Sequence, residues 1–406
     1  MRARRSMYVL FYFEDQLIPD LGAIFTGSFG TRTEQVVWAL PAVYGEPTRI
    51  EPRHLEVVAK LSPKDWVEIE NDHINDISFL ASIGVAILEN GDSKHHEYRR
   101  REDVLRHQQW NLYAAMHHFL NRWDNVHLFK GTPTDLNEVA LNSSRTLSII
   151  ADFVNTHGYP PGHFAEVSTR EANIELPLDL AALECDPLAS ILRQRKTCRE
   201  FDVTSSVDLS TFSQLLYIAF GCHGLIHVYD TIWGIKRTSP SGGGLHPIET
   251  YVLAIRVEGL APGLYQYDVA RHQLNCIEQL AITEAGELAN EFTAGQSYPR
   301  SAAALCIMTA RFYRNHWKYR RHPKSYPVLY MDCAHMSQTF YIYCAHVGLG
   351  AFVTGAINSQ NIERRLGLDP YQEGPLLITG CGVPARTRVG LDPEYQPYSP
   401  RVTPFP

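Results

Sequence analysis

Residues 238–247 read Thr-Ser-Pro-Ser-Gly-Gly-Gly-Leu-His-Pro. Glycines in a row, with prolines on both sides, cannot continue a helix or a central strand. The stretch is therefore a loop, and strand and helix signals flank it. Glycines without Cβ let backbone amides approach a flat ring or an anion closely. No Gly-Lys-Ser/Thr follows, so the loop is not a P-loop, and no Gly-x-Gly-x-x-Gly follows a strand anywhere, so there is no dinucleotide fingerprint. A plain flexible turn is the competing reading.

A chain of 406 residues is long for one domain, and two domains are expected. With 45% hydrophobic and 20% charged residues it buries a sizeable core. A net charge of −7 is unlike a nucleic-acid footprint, which is normally basic. No apolar run approaches the ~20 residues that span a bilayer. The opening imitates a signal peptide, but Glu14 and Asp15 follow its apolar stretch and no cleavage site appears, so a strand in a cytoplasmic protein is expected. The cysteines, at 185, 198, 222, 276, 306, 333, 344 and 381, include no C-x-x-C pair. No metal site is expected, and they read as small buried apolar residues.

Every cysteine lies after residue 184, and the polar, acidic stretch 167–187 suits a connector, which divides the chain into 1–185 and 186–406. The first part shows strands at 8–12 and 35–40. Helical patterns follow at 54–61, after the Ser62-Pro63-Lys64-Asp65 start signal, and at 74–83, with apolar residues behind them. Three short helices leading into strand-like residues suggest a winged-helix-like α+β domain. The acidic balance favours peptide docking or a structural role over DNA. Residues 97–123 read as one long helix, with the Arg99-Arg100-Arg101 run on a solvated face. In the second part Leu209–Phe220 is an amphipathic helix capped by Asp208 and stopped by Gly221. Strands are expected at 250–257, 264–267, 303–308 and 376–379. Residues 328–347, apolar on most faces, form a buried central or interface helix.

Two more segments can carry chemistry. Arg195-Lys196-Thr197-Cys198-Arg199 puts three cations and a hydroxyl where they suit a phosphate and a polar heterocycle edge, unless it is a surface charge cluster. Trp317-Lys318-Tyr319 sets a lysine beside a tyrosine, a pair able to exchange protons, or simply an exposed lysine.

Taken in order, these segments resemble the nitroreductase superfamily over about residues 188–390, and more narrowly its SagB-type branch, the azoline dehydrogenases of thiazole- and oxazole-containing peptides. The specific signature is Ser-Pro-Ser-Gly-Gly-x-x-His-Pro-Ile-Glu from Ser239 to Glu249, followed by Tyr251-Val252. Gly263-Leu264-Tyr265-x-Tyr267-Asp268, Trp317-Lys318-Tyr319, and Gly348-Leu349-Gly350-Ala351 leading into Thr354-Gly355-Ala356 support it.

The resemblance implies a central antiparallel or mixed sheet wrapped by helices, FMN as cofactor, and a homodimer with the flavin at the subunit interface and the 328–347 helix within it. It implies that Arg195, Lys196, Thr197 and Arg199 grip the phosphate and ribityl chain or the pyrimidine edge. Pro240, Ser241, Gly242 and Gly243 would lie against the isoalloxazine, with His246 close by. Thr354 and Gly355 would place amides near the reactive ring nitrogen, and Arg386 and Arg388 would be terminal phosphate-binding cations. Lys318 and Tyr319 match the pair that handles the substrate proton. Lys196-Thr197 stands where Arg-Ser or His-Ser is commoner, and Arg320-Arg321-His322-Pro323 is more basic than usual. The implied reaction is oxidation of azoline rings in a ribosomally made precursor peptide, with a cyclodehydratase or other maturation enzymes as partners. Two readings compete: an NAD(P)H-dependent reductase of dehydroamino acids, nitro compounds or quinones, and a peptide-binding scaffold subunit that merely retains the flavin.

Overall fold

The computed structural model describes residues 1–19, 30–127, 151, 154–156, 158 and 176–386. The chain gathers into two compact units. One comprises Met1–Arg122, Arg311–Leu329 and Leu368–Gly374; the other comprises Trp123–Ala310, Tyr330–Gly367 and Pro375–Pro406. These units are not the two parts of a cut at 185/186, because segments distant in sequence join each of them.

The first unit is α+β. A three-stranded antiparallel sheet places Arg2–Arg5 between Val67–Glu68 and Ala86–Leu88. A second sheet pairs Val9–Pro19 with Thr31–Pro41 in unbroken register and adds Thr48–Ile50. The expected strands at 8–12 and 35–40 are therefore parts of longer ones. The helices Pro52–Lys60 and Ile74–Ser82 send Val57, Val58, Ile77 and Leu80 into one core with Ala3, Val37, Ile50 and Val85.

Two readings of this region need correction. No helix follows Ser62. Its Oγ does accept the amides of Lys64 and Asp65, as a cap would, but its carbonyl accepts the Arg5 amide and the chain runs on into the Val67–Glu68 strand. Pairing with the first strand wins over the local start signal. Residues 97–123 are not one helix but parts of two, Ser93–His107 and Leu112–Leu120. The break lies where Gln109 takes a φ of 57° and Trp110 turns fully inward, after which the Asn111 side chain caps the second helix. In the arginine run, Arg100 and Arg101 both bond Glu97. Trp110 packs against His118, Phe119, Phe312, His316 and Tyr326.

The second unit is built on a six-stranded sheet. Its strand order is Gln273–Gln279, Gly263–Asp268, Ile248–Ala254, Ala304–Arg311, Glu373–Gly382, Gly350–Thr354. Ile248–Ala254 pairs antiparallel with both neighbours, and Gly350–Thr354 pairs antiparallel with Glu373–Gly382. The central strands are buried along nearly their whole length, as strands covered on both faces must be. Leu209–Phe220 forms as expected, with Asp208 accepting the Thr211 amide and Gly221 following. Ser325–His346 is one continuous helix. It buries Leu329, Cys333, Met336, Phe340 and Cys344, a stripe at helical spacing, while Met331 on another face is 56% exposed. Of the eight cysteines, 198, 306, 333, 344 and 381 are buried and none is disulfide-bonded. Burial pushes the Cys306 and Cys344 thiols up, which keeps them neutral.

Candidate functional site

The glycine-rich loop of the second unit is pinned to the long helix. Ser241 Oγ donates to Asp332 Oδ2 at 2.5 Å, and the Gly242 amide donates to Asp332 Oδ1 at 2.9 Å. Ser239 Oγ lies 2.7 Å from Thr339 Oγ1 and donates to the His335 carbonyl at 3.2 Å. Asp332, His335 and Thr339 follow helical spacing, so a single face of the helix holds the loop. Within the loop, Gly243 has φ 63° and Gly244 has φ 69°, the left-handed region that favours glycine. A Cβ on Gly244 would meet nothing within 4 Å, so the backbone and not crowding requires glycine there. His246 is also left-handed, φ 47°, with its amide donating to Ser241 Oγ at 2.9 Å. Gly243, Gly244 and Pro240 are exposed, which leaves the loop open on one side.

Asp332 is almost wholly buried. Burial holds its carboxyl above the usual carboxylate range, opposed by the bonds from Ser241 and Gly242. Sequence reading missed this residue. A signal was available: Asp332 and Thr339 are polar positions at one-face spacing in an otherwise apolar helix.

The cationic segment sits against the far part of the same helix. Arg195 closes the Pro187–Gln194 helix, and its guanidinium lies 5.3 Å from the Tyr341 ring centroid. Thr197 Oγ1 is 3.2 Å from the Tyr341 hydroxyl. Thr197 bridges to Ala351, whose carbonyl accepts the Cys198 amide at 2.8 Å. Cys198 fits there because residue 350 is glycine; a Cβ would stand 2.5 Å from the Cys198 sulfur. Arg199 lies over the Tyr298 ring at 5.9 Å. A cleft of about 180 Å³ opens beside this segment, lined by Lys196, Cys198, Tyr341, Gly348, Gly350 and Pro384 among others.

The chain end of the described region returns here. Phe201 bridges to Pro384, and the Ala385 amide donates to the Glu200 carbonyl, so Arg386 is delivered next to the first motif. Arg386 also contributes to holding the Asp202 carboxyl down at about 2, after the larger effects of hydrogen bonds from Ser205 and Thr204. Arg388 lies outside the described residues. Thr354 ends the strand that carries Ala351. Its hydroxyl accepts Gln296 Nε2 at 3.0 Å and the Ala356 amide at 3.1 Å, while Gly355 beside it is exposed. The Tyr298 hydroxyl donates to Gln296 Oε1 at 2.7 Å, and burial pushes its own pKa up to about 12.

Lys318 and Tyr319 belong to the first unit, at the end of the Phe312–Tyr319 helix. That helix is anchored by buried Phe312, Asn315 and His316, with Asn315 donating to the Ser325 carbonyl at 2.6 Å. Lys318 is exposed, its ammonium 5.9 Å from the Tyr319 ring centroid. Among the described residues no group of His, Cys, Asp and Glu is arranged to hold a metal. No described helix is long and apolar enough to cross a membrane.

Residues 192–383 match the nitroreductase family. The chain is similar to the trifolitoxin-processing protein TfxB of Rhizobium leguminosarum bv. trifolii, 28% identical over 223 residues that make up 53% of this chain and 58% of that protein. It is similar, at 28% identity over 207 residues, to a protein of Methanocaldococcus jannaschii named as a nitroreductase, covering 51% of this chain and 96% of that one. Among solved structures, a nitroreductase-named protein of Ralstonia eutropha aligns at 26% identity and TM-score 0.39 over 50% of this chain and 85% of its own. The E. coli microcin synthetase McbBCD complex with truncated pro-MccB17 bound aligns at 19% identity and TM-score 0.43 over 59% and 94%.

Proposed function

With a nitroreductase-family domain at residues 192–383 as its core, we propose that this chain is an FMN-dependent oxidoreductase that oxidises azoline rings in a ribosomally made peptide. The observation that carries the proposal is the long helix acting as a common support. Through Asp332 it fixes a glycine-rich loop suited to a flat ring, and through Tyr341 it contacts a segment rich in cations. Those two positions are nine residues apart, about two and a half turns, so opposite sides of one helix support a ring platform and an anion grip.

The donor set fits FMN. Arg195, Lys196, Arg199 and Arg386 supply charge for a phosphate, and Thr197 supplies a hydroxyl. Gly242 and Gly243 leave room for close approach of a ring. FMN, when bound, supplies a two-electron acceptor. The remaining work belongs to the protein. Asp332 keeps the loop in one conformation before a ligand arrives, which removes an ordering cost from binding. Lys318 or Tyr319 takes the proton that leaves the azoline ring as it becomes aromatic. The peptide-processing name of the trifolitoxin relative supports the substrate class.

The first test is the visible absorbance of the purified protein, followed by NADPH under argon. Bound flavin that persists with NADPH supports oxidation of the substrate, and rapid bleaching points to a reductase. Colourless protein that cannot take up FMN refutes the proposal. Lys318→Ala should abolish turnover and leave FMN bound; unchanged turnover removes the residue from the mechanism.

A further inference from the structure

Between Glu291 and Asp332 the chain holds seven lysines and arginines and no acid, although 44 of its 406 residues are Asp or Glu and its net charge is −7. Five of those cations, Arg314, Lys318, Arg320, Arg321 and Lys324, fall within eleven residues of the first unit, and all are exposed. The Phe312–Tyr319 helix turns Phe312, Asn315 and His316 into the core. Its outer face therefore carries Arg314, Trp317 and Lys318, at the i, i+3, i+4 spacing of neighbours on one face. Trp317 is 49% exposed and gives that face a flat apolar surface beside the cations.

The turn that follows is held at several points. Arg320 has φ 51°, a left-handed conformation that a non-glycine residue keeps only where its surroundings impose it. The Arg320 amide donates to the His316 carbonyl at 2.7 Å, the His322 amide to the Tyr319 carbonyl at 3.0 Å, and the Ser325 amide to the His322 carbonyl at 3.0 Å. From outside the turn, Asn111 Nδ2 donates to the Arg321 carbonyl at 2.8 Å. Arg320, Arg321 and Lys324 thus stand on a backbone fixed before any partner arrives, which reduces the ordering cost of binding one.

A concentrated positive surface on an otherwise acidic chain selects a partner that is negative and short. A nucleic-acid duplex carries one charge per ~1.7 Å along its whole length, so most of it would lie against the acidic remainder. An acidic peptide confines its charge to a few carboxylates, which the arginine fork matches. We propose that residues 314–324 dock an acidic stretch of the peptide on which this chain acts; that the bound peptide is the substrate rests on the role given above to Lys318 or Tyr319. Four helical residues rise about 6 Å, the length of about two extended peptide residues. A ring held at Lys318 thus brings a carboxylate about two residues along the peptide to Arg314, and further acids meet the turn.

Fluorescence anisotropy of the full chain tests this without flavin or turnover. The probes are a labelled peptide of alternating aspartate and glycine, its asparagine–glycine counterpart, a single-stranded oligonucleotide, and vesicles containing phosphatidylserine. The aspartate peptide should bind, the asparagine peptide should not, and affinity should fall as salt is raised. Arg320→Gln, Arg321→Gln and Lys324→Gln together should weaken binding about tenfold, the scale of three exposed charge pairs, whereas Arg320→Lys with Arg321→Lys should retain it. Hydrogen exchange of the wild type needs no variant: amides of residues 320–324 should slow when the aspartate peptide is added. Equal binding of the two peptides, a triple variant that binds as well as the wild type, or exchange unchanged by the aspartate peptide overturns the proposal. So does an oligonucleotide or vesicle that displaces the peptide and itself loses affinity for the triple variant. Colourless protein that still prefers the aspartate peptide would end the FMN reading and leave this surface standing.

Discussion

Asp332 joins two segments that the sequence keeps some ninety residues apart, and its two oxygens are both occupied by the loop it holds. Hydrogen bonds to a charged group contribute about 1.5–3 kcal/mol each. Asp332→Ala should therefore free the loop and weaken FMN binding by about tenfold to a hundredfold, measured by flavin titration, with a smaller loss for Asp332→Asn. The buried histidines of the first unit lead to a different measurement. His118 accepts from the Tyr326 hydroxyl at Nδ1 and donates to the Pro370 carbonyl from Nε2, which fixes its neutral tautomer. Burial lowers its pKa to about 3, and lowers that of His316 to about 4. Unfolded histidine titrates near 6.5, so the unfolded chain binds more protons between these values and stability rises with pH across them. The contribution should be complete above about pH 6.5 and fall as pH drops toward 4, by about 2 kcal/mol per histidine at about pH 5. Melting temperatures on either side of that range check the sign, and His316→Gln should flatten the dependence. The glycine loop and the cations were legible because their composition is locally unusual. Asp332 showed only as a polar position in an apolar helix, and Tyr341 not at all, because each meets its loop only when distant parts of the chain come together.

Elements were legible where a cap, an apolar stripe and a stop signal agreed, as in Leu209–Phe220. They were misread where tertiary pairing overrode a local signal, as after Ser62, or where a large side chain left the helical path to reach a core, as at Trp110. The edge strand Gly350–Thr354 shows what neither pattern nor propensity displays. Its Phe352 lies opposite Gly380 on the neighbouring strand, and a Cβ at 380 would stand 2.4 Å from two ring atoms. Those atoms belong to a fully buried ring that cannot swing away. Gly380→Ala should cost about 1–3 kcal/mol, the usual range for overpacking, seen as a lowered melting temperature. Gly350→Ala should do the same by forcing Cys198 off the strand end, and should also disturb the adjoining cation segment. A Gly380→Ala protein as stable as the wild type would show that the ring has an alternative packing.

At the scale of the whole molecule, a cut at 185/186 separates sequence of different character, but the folded units exchange segments across it. Residues 186–406 produced alone would carry Phe312, Tyr326 and Tyr371 without Trp110 and Phe119, the rings they pack on. Such a fragment should be aggregation-prone, whereas supplying 1–185 from a second message should improve its soluble yield. Sequence could not show this, since the Trp110 indole nitrogen finds the carbonyl of Tyr371 only when the chain has come back after 261 residues. The same interleaving sets an order of events during synthesis. Met1–Arg122 leaves the ribosome early, yet the Trp110 cluster cannot close until residue 371 has emerged. At about 5–20 residues per second, the nascent chain carries an unfinished aromatic core for roughly 10–50 s. Translation speed over the second half of the message, and the holding chaperones available meanwhile, should govern the yield of active protein.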